Sequence, residues 1–449
     1  MKKKSKKFLL VKYKYLFVIC LIGAILRFNG LNQDFAFSGE FGHNLLAIKN
    51  SFLSGLIPLV GPPTSHPWLS FSPIYYWVLY PLLVLFHWNP LAGAYFGAFV
   101  GVSVIFINFF VVKQIINKNV ALISSLLIAI SPLWILFSRD ARFYFLVTPF
   151  FYFFLLYLIK FWNGDKKSLI KSTFFLGMMM AFHYTPLVLL PTLFYVLIKK
   201  KRLIDKNTIL KSLGVFILPN ITLLINDIQN GFQMTTKFAL WIPYRFAGFL
   251  GLYPKNTTNL NKLGSTYEVI QQFVGYSFTN YKVLWPILFL IFITAMLLLY
   301  KKNYVSKLLA ISFGSAVIAI YILGDAPMHY FLGIFPIPIL LISISINEIF
   351  KRRIFFVVLI FVVVSMYQYN ATGNRYVRLI GISKTIINDA NGNLFKLKRI
   401  GLNDEFEGDF AQNYKYLMWW MGNEPVEKSN LVYTIIEEKD EVRILKNNE

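Results

Sequence analysis

Apolar runs of helix-spanning length recur along the chain, at residues 15–31, 91–112, 119–137, 143–162, 172–198, 212–226, 283–300, 307–323, 330–347 and 354–369. A bilayer core about 30 Å thick needs about 20 apolar residues per helical crossing, so each run predicts a membrane span. The stretch "SPIYYWVLYPLLVLFHW" (72–88) is different. Tyr75, Tyr76, Trp77, Tyr80 and Trp88 are residue types of the membrane–water boundary, and Pro81 interrupts the middle. That pattern predicts a helix lying flat on the outer surface.

Basic residues set the orientation. Clusters at 1–14, at Lys113 and Lys118, around Lys166, Lys167 and Lys171, at 199–211, at 301–307 and at 351–353 share one side only if 72–88 does not cross. The positive-inside rule makes that side, and the N-terminus, cytoplasmic. Both flanks of 172–198 are basic, so this run is predicted as two short helices turning at "HYTP" (183–186). Such a break is tolerated at membrane depth where protein or a wet cavity covers it. The basic start resembles that of a signal peptide. The apolar stretch behind it is too long and no small-residue cleavage site follows, which predicts a retained first span. The fold class expected is an all-α polytopic membrane protein of the cell membrane, with about 11 transmembrane helices plus an outer juxtamembrane helix.

Two predicted outer loops are long, 29–90 and 227–282, and the transmembrane domain is expected to occupy 1–369. From Asn370 the composition becomes charge-balanced. "NLFKLKRIG" and "LVYTIIEE" read as strands and "FAQNYKYLMWWMG" as a helix, so 370–449 is predicted as a small α+β extracytoplasmic domain. At 56% hydrophobic and 15% charged, the chain is not a soluble globule. Its net charge of +24 alone would suggest nucleic acid. The excess is concentrated in the predicted cytoplasmic segments, where it serves topology and contact with anionic membrane lipids, so nucleic acid is not an expected partner. Cys20 is the single cysteine, which excludes an intramolecular disulfide and a cysteine metal site. There is no G-x-G-x-x-G or Walker A motif and no convincing repeat.

Under this topology the notable polar residues share one face. Asp34, Glu40 and His43 lie in the first outer loop, and "SRDARFY" (138–144) supplies Arg139, Asp140, Arg142 and Tyr144. His183 and Tyr184 lie at the turn, Asp227 opens the second long loop, and Asp325 and His329 lie in "GDAPMHYF". Structural alternatives exist for most of them. The arginines suit interfacial snorkelling, Asp140 can pair with one of them, His183 fits an apolar core, and Asp34 and Asp227 suit helix caps. Glu40 has no basic residue in its own turn. A carboxylate at the outer surface suits a general base, and outer arginines match a lipid-linked phosphate. Together they point to group transfer from a lipid phosphate.

The order of motifs resembles the GT-C superfamily of polyprenyl-phosphate-sugar-dependent glycosyltransferases, in particular its protein O-mannosyltransferase and aminoarabinose-transferase branch. The stretches that carry the resemblance are "FSGEFGHN" (37–44), "SGLIPLVGPPTS" (54–65), "PIYYW" (73–77), "WNPLAGAYFGAFVGV" (88–102), Ser138–Arg139–Arg142–Tyr144, His183–Tyr184 and His329–Tyr330 to Pro336. It covers about residues 10–350. The family carries an acidic pair in its first loop. Here Glu40 falls on one acid, Ser38 or Gly39 replaces the other, and Asp34 is the remaining carboxylate nearby.

The resemblance implies an inverting transfer of a sugar from a polyprenyl-phosphate donor to an acceptor hydroxyl on a glycolipid, glycan or protein. Glu40 would be the base, with Asp34 as its rival. Arg139, Arg142 and His329 would hold the donor phosphate, and His43, Asp140, Tyr144, His183, Tyr184 and Asp227 would shape the site. No metal or cofactor is demanded, because the carboxylates and histidines lack tight ligand spacing. Two alternatives stay open. A lipid-linked sugar transporter or flippase would place ionisable groups inside spans near the midplane. A catalytically inactive relative would fit the missing acid.

Overall fold

The computed structural model describes residues 13–252, 262–323, 326–350, 373–401, 411–438 and 441–448. Among them, six helices are long and apolar enough to cross a membrane, or seven if one bent pair is a single span. The chain is mostly helical, but the expected count of about 11 exceeds what helix length supports. The expected span 354–369 and Asp325 lie outside the described residues.

Helix α1 (Lys14–Phe28) and the turn of helix Leu31–Asp34 form the first candidate span. Helix α2 (Gly39–Leu53) follows in the first long loop. Helix α3 (Ile74–Leu85) is the aromatic stretch. Its 12 residues reach about 18 Å, well short of a 30 Å core. Helix α4 (Leu91–Ile115) is a long span.

The run expected as one span at 119–137 is two helices, α5 (Lys118–Ile130) and α6 (Pro132–Asp140), bent by 59°. Pro132 has no N–H to offer the carbonyl four residues back. The guanidinium of the fully buried Arg27 takes its place, donating to Ile128 O at 3.0 Å and to Ala129 O at 2.9 Å. Ser131 Oγ caps α6 by accepting from the Trp134 N–H.

Helix α7 (Val147–Trp162) is the next long span. Helix α8 (Ser168–Phe182) ends at His183, and α9 (Leu190–Lys199) resumes after a 3₁₀ turn, so the chain breaks at the expected "HYTP". Helices α10 (Lys206–Ile217) and α11 (Ile221–Gln229), joined through Pro219, make a further span. The long segment after Asp227 is largely helical, as α12 (Gln233–Phe249) and α13 (Lys262–Tyr276). Helices α14 (Trp285–Tyr300), α15 (Tyr304–Leu323) and α16 (Pro336–Phe350) complete the bundle.

Lipid is the solvent that fits the outside of this bundle. On α14, Leu290, Leu297 and Leu298 are each more than 60% exposed. Inside, Asn108 on α4 donates to Ser124 and Ser125 on α5 at 2.8 and 2.9 Å, the kind of interhelical polar contact membrane bundles use.

The C-terminal segment contains α17 (Arg375–Ala390), β1 (Lys396–Gly401), α18 (Gln412–Trp420), β2 (Leu431–Glu437) and β3 (Val442–Asn448). The sheet order is β1-β2-β3, with β1–β2 parallel and β2–β3 antiparallel. The parallel pair requires a crossover, and α18 provides it. Ile386, Phe395, Leu397, Tyr414, Met418, Tyr433 and Ile435 form its own core.

Candidate active site

The stretch "FSGEFGHN" is the start of α2. Ser38 is its N-cap, its Oγ accepting from the Phe41 N–H at 3.3 Å, which places Glu40 in the first turn where the helix dipole favours a carboxylate. The neighbour Phe41 is fully buried and packs on Gly93 of α4, where a Cβ would stand 2.3 Å from the ring. Glu40 itself stays 43% exposed and accepts from Arg142 Nη1 at 3.0 Å. Protein surrounds its carboxylate, which still reaches solvent. Desolvation there raises its pKa, while Arg142 opposes the rise. His43, one turn along, is exposed, and partial desolvation lowers its pKa.

Arg142 owes its position to a chain reversal. Helix α6 ends at Asp140, Ala141 adopts φ 60°, and Arg142 is extended. A left-handed backbone is unfavourable for a residue with a Cβ, so the neighbours hold it. Tyr75 OH donates to Ala141 O at 2.7 Å. On α4, Gly97 lies so close that a Cβ would meet Ser138 O at 2.6 Å and Ala141 Cα at 3.3 Å. Gly101 is pressed by Ser138 in the same way. Glycines at this four-residue spacing let helices approach closely.

Arg142 then bridges two carboxylates. It donates to Asp140 Oδ2 from Nε at 2.7 Å and also from Nη2, and to Glu40 from Nη1. Burial works against its charge, and Asp140, Tyr144 and Glu40 outweigh it, raising its pKa. Its guanidinium lies 5.2 Å from the centre of the Tyr144 ring. Among the described residues, Asp140 Oδ1 and Tyr144 OH are buried with no hydrogen-bond partner.

Two histidines extend the cluster. The Tyr144 ring stacks on His329 at 4.5 Å, and His329 meets His183 edge-to-face at 5.6 Å. His183 Nδ1 accepts from the Thr185 N–H at 3.2 Å and pairs with Thr185 Oγ1 at 2.9 Å, which leaves its proton on Nε2. Desolvation lowers both pKa values to about 3, helped by His329 at His183 and by Arg142 at His329. Both rings are therefore neutral near pH 7. Tyr184 OH donates to Ser70 O at 2.6 Å, and its ring lies beside Phe71 at 4.9 Å.

Three residues singled out in the sequence are engaged elsewhere. Arg139 Nη1 donates to Arg27 O at 3.0 Å and Asn29 O at 2.8 Å, capping the C-terminus of α1. Asp34 holds Arg375 of the C-terminal segment at 2.8 Å through Nε, with Nη2 on its second oxygen at 3.1 Å. Asp227 accepts from the Met234 and Thr235 N–H groups at 2.7 and 3.0 Å and caps α12. The structure thus gathers Glu40, Asp140, Arg142, Tyr144, His183 and His329, with Tyr184 and His43 at the margins. Tyr75 and the glycines of α4 are additions to that set. The regular spacing of Gly93, Gly97 and Gly101 is the sequence signal that carries the latter.

The whole fold is shared with solved membrane enzymes. ArnT from Cupriavidus metallidurans in the apo state superposes with a TM-score of 0.60 at 11% identity, over 95% of this chain and 93% of that one. The sequence profile described as dolichyl-phosphate-mannose-protein mannosyltransferase matches residues 65–225. The fold is that of the GT-C glycosyltransferases. ArnT from the same organism bound to undecaprenyl phosphate matches this chain with a TM-score of 0.58 at 12% identity, over 91% of this chain and 75% of that one. The Archaeoglobus fulgidus oligosaccharyltransferase in complex with Zn and sulfate matches with a TM-score of 0.54 at 13% identity, over 92% of this chain and 62% of that one. No curated protein matches by sequence. The matched profile contains Arg142, Asp140, Tyr144 and His183 but stops short of Glu40, His329 and the C-terminal segment.

Proposed function

We propose that this GT-C protein transfers a sugar from a polyprenyl-phosphate donor to an acceptor hydroxyl, with inversion, at the extracytoplasmic face. The observation that carries the reading is Arg142 held between Glu40 and Asp140, with Glu40 still reaching solvent. Glu40 takes the proton of the acceptor hydroxyl. The acceptor oxygen bonds to the anomeric carbon from the face opposite the phosphate. The anomeric C–O bond breaks, and its electron pair leaves with the lipid phosphate. Arg142 has N–H groups beyond those bound to the carboxylates, and these, with a neutral N–H of His329, meet the charge developing on the phosphate. Tyr144 OH and Asp140 Oδ1 offer the sugar a donor and an acceptor.

Ser38 and Gly39 occupy the place of the family's second acid and serve instead as cap and first residue of α2. Asp140 supplies a second carboxylate beside the same arginine. That favours an active enzyme over an inactive relative. Arg139, Asp34 and Asp227 receive no role in the chemistry, since each already holds a structural partner.

The test is transfer by the purified protein in lipid nanodiscs, with polyprenyl-phosphate sugars as donors and cell-envelope glycans and glycolipids as acceptors. Product formation that falls by about 10²- to 10⁴-fold in Glu40→Gln supports a general base. Full activity in Glu40→Gln removes Glu40 from that role. Absence of transfer across the donor set overturns the reading.

A further inference from the structure

We infer that the C-terminal segment sets the position of Glu40, with Asn413 and Gly42 as positioning residues. This rests on the glycosyl-transfer reading above for its meaning in catalysis, but its geometry stands alone.

The first turn of α2 is gripped on both sides of Glu40. Ahead of it, Asn413 Nδ2 on α18 donates to Phe37 O at 3.0 Å, and this contact is buried. The Phe37 ring is packed by Tyr416 of α18 at 6.1 Å and by Tyr376 of α17 at 6.4 Å. Behind it, Gly42 lies against the backbone of α18. A Cβ on Gly42 would stand 2.4 Å from Asn413 N, 2.5 Å from Asn413 Cα and 2.7 Å from Gln412 C. These are backbone atoms of a helix and cannot swing aside. On the adjoining face, Phe41 is keyed onto Gly93 of α4.

The turn 37–42 therefore has one position between α4 and α18, and Glu40 projects from it toward Arg142. Farther along the same interface, Lys49 pairs with Glu424, Tyr416 OH donates to Trp88 O at 2.8 Å, and Trp420 Nε1 donates to His87 O at 3.0 Å. Among the described residues, none of these groups hydrogen-bonds or ion-pairs with Glu40 or Arg142. They act on the carboxylate through the backbone that bears it.

Two variants of the full chain test this. Gly42→Ala introduces the clash, and Asn413→Ala removes the hydrogen bond with a milder effect on folding. A displacement of about 1 Å at a reacting group is enough to cost about 10²-fold. Both variants should lower kcat by about that factor, leave donor KM near wild type, and move the acid limb of the pH–rate profile. Asn413→Asp keeps the side-chain acceptor for the Tyr414 N–H but loses the donor to Phe37 O, so it should behave as Asn413→Ala does. Wild-type kcat and pH profile per folded molecule in Asn413→Ala would overturn the inference.

A second readout needs no turnover. Carbodiimide labelling of Glu40 with a small amine, followed across pH by mass spectrometry, reports the environment of the carboxyl group. An altered titration of Glu40 in Asn413→Ala supports positioning even if no donor is ever used, so the two proposals fail separately. An unchanged titration in that variant overturns this one.

Discussion

Arg139 and Arg142 differ by three positions and face opposite tasks. Arg139 closes the end of α1, where its N–H groups meet carbonyls left open by the last turn. Arg139→Ala should lower stability by about 1–3 kcal/mol, since buried acceptors lose their donor, while donor affinity per folded molecule stays unchanged. Thermal unfolding and a donor titration separate the two effects. Arg142→Lys should keep the charge and lose the fork that spans two carboxylates, and turnover should fall with little change in melting temperature. Asp34→Asn should cost less than about 1 kcal/mol, because its partner Arg375 is more than half exposed and exposed pairs contribute little. The sequence shows that these side chains are unusual for their setting. It does not show which of two neighbouring arginines turns inward to a helix end, because that depends on Ala141 being left-handed.

The histidines set a pH dependence at the same scale. His183 and His329 have pKa values near 3 in the fold against about 6.5 unfolded. The unfolded chain therefore binds more protons between those values, and stability rises with pH across that window and levels off above it. Melting temperature should fall as pH drops from about 6.5 toward 4. His329→Phe, which keeps a ring on Tyr144, should flatten the slope. Glu40 has the opposite sign for a carboxylate. Desolvation holds its proton to higher pH, so the acid limb of activity should lie above the ordinary carboxylate range.

At the scale of elements, the glycine face of α4 does two jobs. Gly93 receives Phe41 beside Glu40, while Gly97 and Gly101 receive the reversal that carries Arg142. One helix thus fixes the spacing of the ion pair. Gly97→Val would drive a side chain into Ser138 O and should destabilise by about 1–3 kcal/mol as an overpacked contact, with activity lost more than stability. Spectroscopic melting and turnover on the same sample check it. Much at this scale is legible in the sequence. The runs at 91–112, 143–162, 283–300 and 307–323 are long helices, and the break at "HYTP" follows from basic flanks on both sides. The bend in 119–137 is not legible from hydropathy, because apolar character continues through Ser131–Pro132, and it takes Arg27 from another helix to close the gap. In the C-terminal segment, β1, β2 and α18 fall on the stretches that read as strands and helix. Strand β3, "VRILKNN", ends in polar residues and gains its register only from pairing with β2.

For the whole molecule, the bundle and C-terminal segment share the interface that holds α2, so the first long loop and that segment must lie on one side of the membrane. Lys118, at the start of α5, is expected on the other. With Cys20 replaced, single cysteines at Lys118 and Lys428 should react with an impermeant thiol reagent from opposite faces. Labelling from the same face would refute the orientation.

The grip of α18 on Gly42 and Phe37 also has a consequence in time. Translation produces Glu40 early and Asn413 only after every described helix of the bundle. A nascent or prematurely terminated chain can enter the membrane and form its spans, yet its carboxylate lacks the support that fixes it. On the positioning proposed above, turnover would begin only once α18 has been made, and shorter fragments lodged in the bilayer would be inactive.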